Sequence, residues 1–431
     1  MKVIYPIACG IDVHKSFIVA VICDSTTLKP TYTKKRFSTF HKDLIKFRDW
    51  LLEHGCDNVC MESTGKYWIP VFNILEGHIS NVVLTNPKWV KAVKGKKDDN
   101  KDAKWICDLF KLGLVQGSFI PEKQIRILRE LTRNLFKVTN MRSSEKNRFQ
   151  NALTVDNCNI DQVFSDVFGK SASAIINLIL ADEPFTLQDI STSLHGHCKA
   201  TAEEVSDAII GFSLEHVQKQ RITLIQAHME YLDSMILNFQ SLIDSIVSPY
   251  DPYVTLLSSI PGVKRQSAIT IISEIGIDMS QFGSHHRLAS WAGLAPGSNE
   301  SAGKKKSVKI SRAGVYLKPC LLQVAHAAVK DNKNPYYANK FNKIAKRRGK
   351  KRAYIAIARK ILVAIYHMID TGEFFNPRDL ADTETTIKKR IQYTKNNLRN
   401  DINSLLNSGL SQEDLSILIN SILPDNPQLS T

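Results

Sequence analysis

The sequence predicts an α/β plus α protein: an α/β domain at the N-terminus, a helical middle with a coiled coil, and a mainly helical C-terminal domain. Three observations predict it. Short apolar runs alternate with helical stripes over the first 115 residues. Apolar residues recur at three- and four-residue spacing between Ile222 and Ile246. From Ser301 to Ile369, 18 Lys or Arg stand against one acid, Asp331, in a stretch otherwise patterned as helices. At 431 residues the chain is long for one core, so two or three domains are expected. The expected division is 1–120, 121–249, 250–372 and a polar tail, 373–431, whose role is unreadable.

In the first segment, apolar runs at Pro6–Val13 and Phe17–Cys23 read as strands joined in a hairpin, with Thr31–Phe37 a weaker third. Leu44, Ile45, Phe47, Leu51 and Leu52 form a helical stripe ending at Gly55. Asn58–Met61 reads as a strand, Tyr67–Leu75 as a helix closed by Gly77, and Asn81–Leu84 as a further strand. A polar loop, Lys91–Lys97, precedes a helix from about Asp99 to Leu112, stopped by Gly113. This order, β-β-β-α-β-α-β-α, resembles a ribonuclease-H-like domain of the RuvC kind.

The acids of this segment are the candidate chemistry. Asp12 falls at the end of the first strand and Glu62 at the end of the fourth, while Asp99 and Asp102 share one face of the last helix. Carboxylates at such positions can converge on one pocket, where they repel unless cations neutralise them. Oxygen-only ligands suit Mg²⁺ or Mn²⁺ rather than zinc. Two such ions about 3.5–4 Å apart can clamp the attacking and leaving oxygens of a phosphodiester. The alternative is that each acid is a surface cap or turn residue, Asp99 near a helix start being a ready example.

Residues 121–152 read as a polar helix in which Arg126, Arg129, Arg133, Lys137, Arg142, Lys146 and Arg148 recur, either on nucleic acid or as a solvated face. Val163–Leu180 reads as an apolar helix, followed by a Ser/Thr-rich connector near Thr186–Ser193. Ile222, Ile225, Met229, Leu232, Ile236, Phe239, Ile243 and Ile246 give the coiled-coil stripe, which Pro249 ends. That stripe suits pairing between subunits or a long helix folded back on 121–152. His195, His197 and Cys198 offer three zinc-type ligands without a partner motif, and a polar loop is the expected reading.

In the second half, Leu256–Val263 and Ala268–Gly276 read as a helix-hairpin-helix whose Pro261-Gly262 turn could present backbone N–H groups to a phosphate. Lys264 stands where a second glycine is usual and could itself meet a phosphate; tight helix packing is the alternative. The net charge of +15 is concentrated here, since residues 301–369 carry 18 cations and one acid. Such concentration marks a polyanion-binding surface. Lys304, Lys305, Lys306, Lys309, Arg312 and the cluster Lys346, Arg347, Arg348, Lys350, Lys351, Arg352 are the candidate nucleic-acid contacts. Tyr336 and Tyr337 could stack on bases or pack.

Hydrophobic content of 43% is normal for a soluble globular protein, and no run of 18 apolar residues reads as membrane-spanning. The N-terminus reads as a strand rather than a signal peptide, so a cytoplasmic protein is expected. The eight scattered cysteines suit reduced, buried thiols.

Three segments make the reading specific. Gly10-Ile11-Asp12-Val13-His14-Lys15, Met61-Glu62-Ser63-Thr64-Gly65-Lys66-Tyr67-Trp68 and Lys97-Asp98-Asp99-Asn100-Lys101-Asp102-Ala103 resemble the signatures of the DEDD insertion-sequence transposases, a family of bridge-RNA-guided serine recombinases. Ala292–Lys305 resembles the family's second signature, in which a serine precedes a Gly-Lys pair. The resemblance spans roughly residues 5–155 and 250–370 and fades beyond about Gly372. It implies that Asp12, Glu62, Asp99 and Asp102 bind metal, that Ser301 attacks DNA, and that lysines 304–306 and 309 neutralise developing charge. Ser298 is the nearest competitor of Ser301. Asp98 is a departure, since the family usually has Thr or Asn there; the Asp-x-x-Asp-Ala spacing favours Asp99.

The resemblance further implies a guide RNA, DNA element ends and target as partners, coils joining subunits in a homo-oligomer (dimer or tetramer), and a composite site assembled from two domains. Two other functions compete. A RuvC-like junction nuclease would use the same carboxylates with water as nucleophile but leaves the Ser301 segment unexplained. A non-catalytic nucleic-acid-binding protein with a degenerate nuclease fold leaves the four acids unexplained.

Overall fold

The computed structural model describes residues 2–63, 65–90, 99–181, 183–209, 214–297, 299–301, 304–307, 309–377, 392, 395–396 and 398–416. The chain forms two compact units, Met1–Glu122 and Lys123–Thr431.

The first unit is a mixed α/β structure. Its strands are β1 (Ile7–Val13), β2 (Phe17–Asp24), β3 (Thr31–Ser38), β4 (Asn58–Glu62) and β5 (Asn81–Thr85). Its helices are α1 (His41–Glu53), α2 (Trp68–Leu75), the short α3 (Pro87–Val90) and α4 (Asp99–Lys111). The sheet order is β3-β2-β1-β4-β5, antiparallel from β3 to β1 and parallel from β1 to β5. The sequence order of strands and helices is thus observed in full, with α3 added. The polar loop expected at Lys91–Lys97 lies outside the described residues.

Side chains alternate across the sheet with period two, which makes two buried faces. Cys9, Ile11, Val13, Val59 and Met61 pack with Leu44, Phe47, Leu51, Val71 and Leu75 of α1 and α2. Ala8 and Cys60 face the other way, against Ile106, Cys107 and Phe110 of α4. Val19 and Val21 join them around Ala103. Both faces of the central strands are therefore covered, which explains their unbroken apolar runs.

The second unit is mostly helical. α5 (Lys123–Val155) is followed by α6 (Ile160–Val163), α7 (Lys170–Leu180), α8 (Leu187–Ser193), α9 (Ala202–Ile209) and α10 (His216–Val247). α10 runs along α5 of the same chain, burying Ile222, Ile225, Met229, Leu232 and Ile243. The apolar stripe is thus met, within the chain, by the 121–152 helix. Burial of each such side chain contributes about 1.5–3 kcal/mol to this pairing. Helices α6 to α9 form a small core with the joined ends of α5 and α10. The single apolar helix expected at Val163–Leu180 is broken, because Gly169 caps α7 and Phe164 is extended. The expected Ser/Thr connector is the helix α8, opened by a capping box between Thr186 and Asp189.

The arginines of α5 are largely spoken for inside the unit. Arg129 donates to the carbonyl oxygens of Ser273 (2.9 Å) and Glu274 (2.8 Å), and Arg133 donates to both carboxylate oxygens of Glu274. Arg142 pairs with Asp233, Arg148 with Glu145, and Lys146 lies over the Phe168 ring. For these five the structure shows an intramolecular role.

The remainder comprises α11 (Asp251–Ser258), α12 (Arg265–Ile275), α13 (His285–Trp291), the hairpin β6 (Asn299–Ser301) and β7 (Lys304–Ser307), α14 (Leu317–Lys330), α15 (Tyr336–Arg348) and α16 (Lys350–Thr371). α16 is its axis, with Ile357, Ile361, Leu362 and Ile365 fully buried. Tyr336 and Tyr337 are buried too, packed on each other and on Phe375. The packing role of these two tyrosines, rather than base stacking, is what the fold shows. Among the described residues no helix is long and apolar enough to cross a membrane. Six of the eight cysteines are buried and none is in a disulfide. Burial pushes the Cys56, Cys60 and Cys107 thiols up to about 12.

Candidate active site

The direction of α4 decides where its acids lie. The backbone N–H groups of Ile4 and Tyr5, just before β1, donate to the carbonyl of Lys111 at the end of α4. The helix therefore runs back along β1, and its first turn lies at the end of the strand that carries Asp12. Midway, the two backbones nearly touch. A Cβ on Gly10 would sit 2.3 Å from the Ala103 carbonyl oxygen and from the Cys107 nitrogen. Only glycine permits that approach, and it fixes the height of Asp102, one residue before Ala103.

The alternation of the sheet supplies the other two acids. Asp12 shares the parity of Ala8 and Gly10, and Glu62 that of Cys60, so both project toward the α4 side. β1 and β4 are parallel neighbours with Ile11 opposite Met61; one residue further, Asp12 stands beside Glu62. Asp12, Glu62 and Asp102 are all half-buried. Asp99 is the first residue of α4, one turn before Ala103, where the helix dipole favours negative charge. Asp98 lies outside the described residues. Among the described residues, no group of three or more His, Cys, Asp or Glu is drawn close enough to hold a metal ion.

His14 is a site residue not singled out from the sequence. Its Nε2 lies 3.1 Å from Asp12 Oδ2, and its ring stacks on Phe17 at 4.4 Å. The signal was available: His14 follows β1 directly, two residues after Asp12, so extended backbone carried one residue past the strand puts both side chains on one face.

Residues 9–155 match the DEDD transposase model of the IS110 type, described as "Transposase", and residues 254–341 match "Transposase IS116/IS110/IS902 family". The two matches stand in order and together cover more than half of the chain. The chain belongs to the IS110-type DEDD transposases. It is a DNA transposase, catalysing DNA strand transfer. No curated protein matches it as a relative. DEDD transposase domains typically use divalent metal ions; carboxylates such as Asp12, Glu62, Asp99 and Asp102 offer only oxygen atoms, the donors a hard cation takes.

In the second unit of this transposase, Ser301 ends strand β6 opposite Lys304 of β7, with Glu300 opposite Lys305. Ser301 therefore sits on one strand of a two-stranded hairpin. The base of that hairpin is fastened by a bridge between Pro296 and Ile310 and by Gly297 N–H donating to the Lys309 carbonyl. Lys309 and Arg312 beyond it are exposed, and Ser298 lies outside the described residues.

Lys346, Arg347 and Arg348 close α15, and Lys350, Lys351 and Arg352 open α16 after Gly349. All six are exposed, and none forms an ion pair with a described residue. Cations suit the end of α15, but three of them at the start of α16 oppose its dipole.

The Pro261-Gly262 turn joins α11 to α12 at positive φ (86°), and a Cβ on Gly262 would sit 2.6 Å from backbone atoms of Val324 and Ala328 in α14. That glycine serves helix packing. Lys264 remains exposed as the N-cap residue of α12.

Proposed function

We propose that this transposase cuts and rejoins DNA through a serine nucleophile, Ser301, together with divalent ions held by Asp12, Glu62, Asp99 and Asp102 on a RuvC-like domain. The observation that supports the metal site is the antiparallel passage of α4 over Gly10, since it brings the start of that helix to the end of the sheet where β1 carries Asp12 and β4 carries Glu62. Mg²⁺ or Mn²⁺ bound there would supply Lewis acidity to a phosphodiester oxygen. The protein's own residues do the rest. Ser301 Oγ forms a bond to phosphorus, the bond from phosphorus to a sugar oxygen breaks, and that sugar leaves as a hydroxyl. Attack by a hydroxyl of another strand reverses the step and frees the serine. Lys304, Lys305, Lys306 and Lys309 would offset the charge that gathers on phosphorus oxygens.

The cationic corner of α15 and α16, with Lys264 and Arg312, would bind nucleic acid backbone. A guide RNA from the element, a helix-hairpin-helix contact at Lys264 and a homo-oligomer are parts of the same proposal, supported by the sequence resemblance.

Covalent trapping tests it. Full-length protein with its RNA, Mg²⁺ and nicked element-end DNA is resolved on a denaturing gel beside Ser301→Ala and Asp102→Ala. A protein–DNA adduct lost in both variants is expected. Metal-dependent nicking without an adduct, undiminished by Ser301→Ala, would instead assign a junction nuclease using water.

A further inference from the structure

The carboxylate end of the first unit has a cationic neighbour that the transposase reading leaves unassigned. Across the sheet, Arg36 of β3 is in register with Val19 of β2, and Val19 with Asp12 of β1. The row continues to Glu62 on β4. Phe37 packs on the α1 side, so Arg36 and Lys34 project to the opposite side, the one that carries α4 and the acids. Two strand spacings separate the backbones of Arg36 and Asp12, about 9.5 Å.

The Arg36 side chain is exposed yet held. Its guanidinium lies over the Phe17 ring at 3.7 Å, Phe17 stacks on His14, and His14 bonds Asp12. Stacking on an aromatic face leaves the N–H edge of a guanidinium directed outward, the geometry in which arginine grips a phosphate with two hydrogen bonds. Two other cations on this side, Lys104 and Lys111, are both paired with Asp108. Arg36 and Lys34 form no ion pair with a described residue. Residues 31–36 of the edge strand are all exposed, so a linear polyanion can lie along them.

We infer that Arg36 grips a phosphate of the DNA strand, close to the phosphodiester presented at Asp12 and Glu62, and so sets where along the strand the carboxylates act. Arg36 is a positioning residue in this scheme, with Lys34 a flanking contact. The inference rests on the carboxylate site proposed above.

The test uses full-length protein and a fluorescein-labelled 30-base-pair DNA duplex carrying one nick, followed by anisotropy over a range of KCl. Arg36→Ala should weaken binding roughly tenfold and lower the salt slope by about 0.9, the loss of one phosphate contact. Arg36→Lys should recover most of the slope. Lys35→Ala removes the same charge one residue away, on the opposite face over Phe37, and should leave the slope unchanged. Circular dichroism of all three checks the fold.

Equal slopes for Arg36→Ala and the parent protein, or equal losses in Arg36→Ala and Lys35→Ala, would overturn the inference. So would a loss seen only with RNA of the same sequence. Cleavage by Asp12→Asn tests the carboxylate site separately: if that variant cuts normally, the carboxylate reading fails, while the Arg36 contact is judged on its own slope.

Discussion

The carboxylate end of the sheet and the cationic corner between α15 and α16 carry opposite charge and are built in opposite ways. The acids sit on rigid elements whose approach is set by backbone contact at Gly10, so each position is fixed by packing beneath it. The six cations stand exposed around one glycine, with no described ion partner. Chemistry on a phosphodiester needs atoms placed to within fractions of an ångström, which packing supplies. Holding a polyanion needs summed charge, which flexible exposed side chains supply. The first region should therefore be intolerant of single changes and the second should respond in proportion to charge.

The sharpest way to break this contrast is Asp12→Asn, which keeps shape and removes charge. Strand transfer in Mg²⁺ should fall by about 10³-fold, with thermal unfolding unchanged or slightly raised as like-charge repulsion is relieved. Next comes Gly10→Ala. The added methyl meets backbone, so α4 must shift; activity should drop by about 10²-fold and unfolding cost about 1–3 kcal/mol, read by strand-transfer assay and denaturant titration.

Replacing Lys346, Arg347 and Arg348 together by Ala should weaken DNA binding by roughly tenfold or more and flatten its salt dependence, while kcat at saturating DNA stays near the parent value. A collapse of kcat would show that the corner is a precise site after all. The smallest effect concerns the buried thiols of the first unit. Burial holds Cys56, Cys60 and Cys107 at about 12, above their unfolded value, so the unfolded chain releases protons first. Stability should be undisturbed below pH 9 and decline toward pH 12, measured by urea unfolding at stepped pH.

The first unit was largely legible in the sequence because its signals are local. Apolar runs placed Asp12 and Glu62 at strand ends, and glycine ended helices where expected. The weak β3 shows the limit: its residues 31–36 are exposed, so no alternating apolar pattern announces it. In the second unit the decisive partners are distant. Nothing near Arg129 and Arg133 tells that residues 273 and 274 receive them. The stripe on α10 has the same spacing whether its partner is α5 or another chain. α8 was misread because Thr and Ser suggested a connector, although Thr186 and Asp189 spell a capping box.

The Gly10 crossing has a consequence for how the chain can vary. α4 is located by contacts at its middle and far end, through Gly10 with Ala103 and Cys107 and through Lys111 with Ile4 and Tyr5. Both anchors are made by backbone atoms, so solvent-facing side chains of α4 such as Lys101 can change without shifting Asp102 along β1, and the acids keep their address.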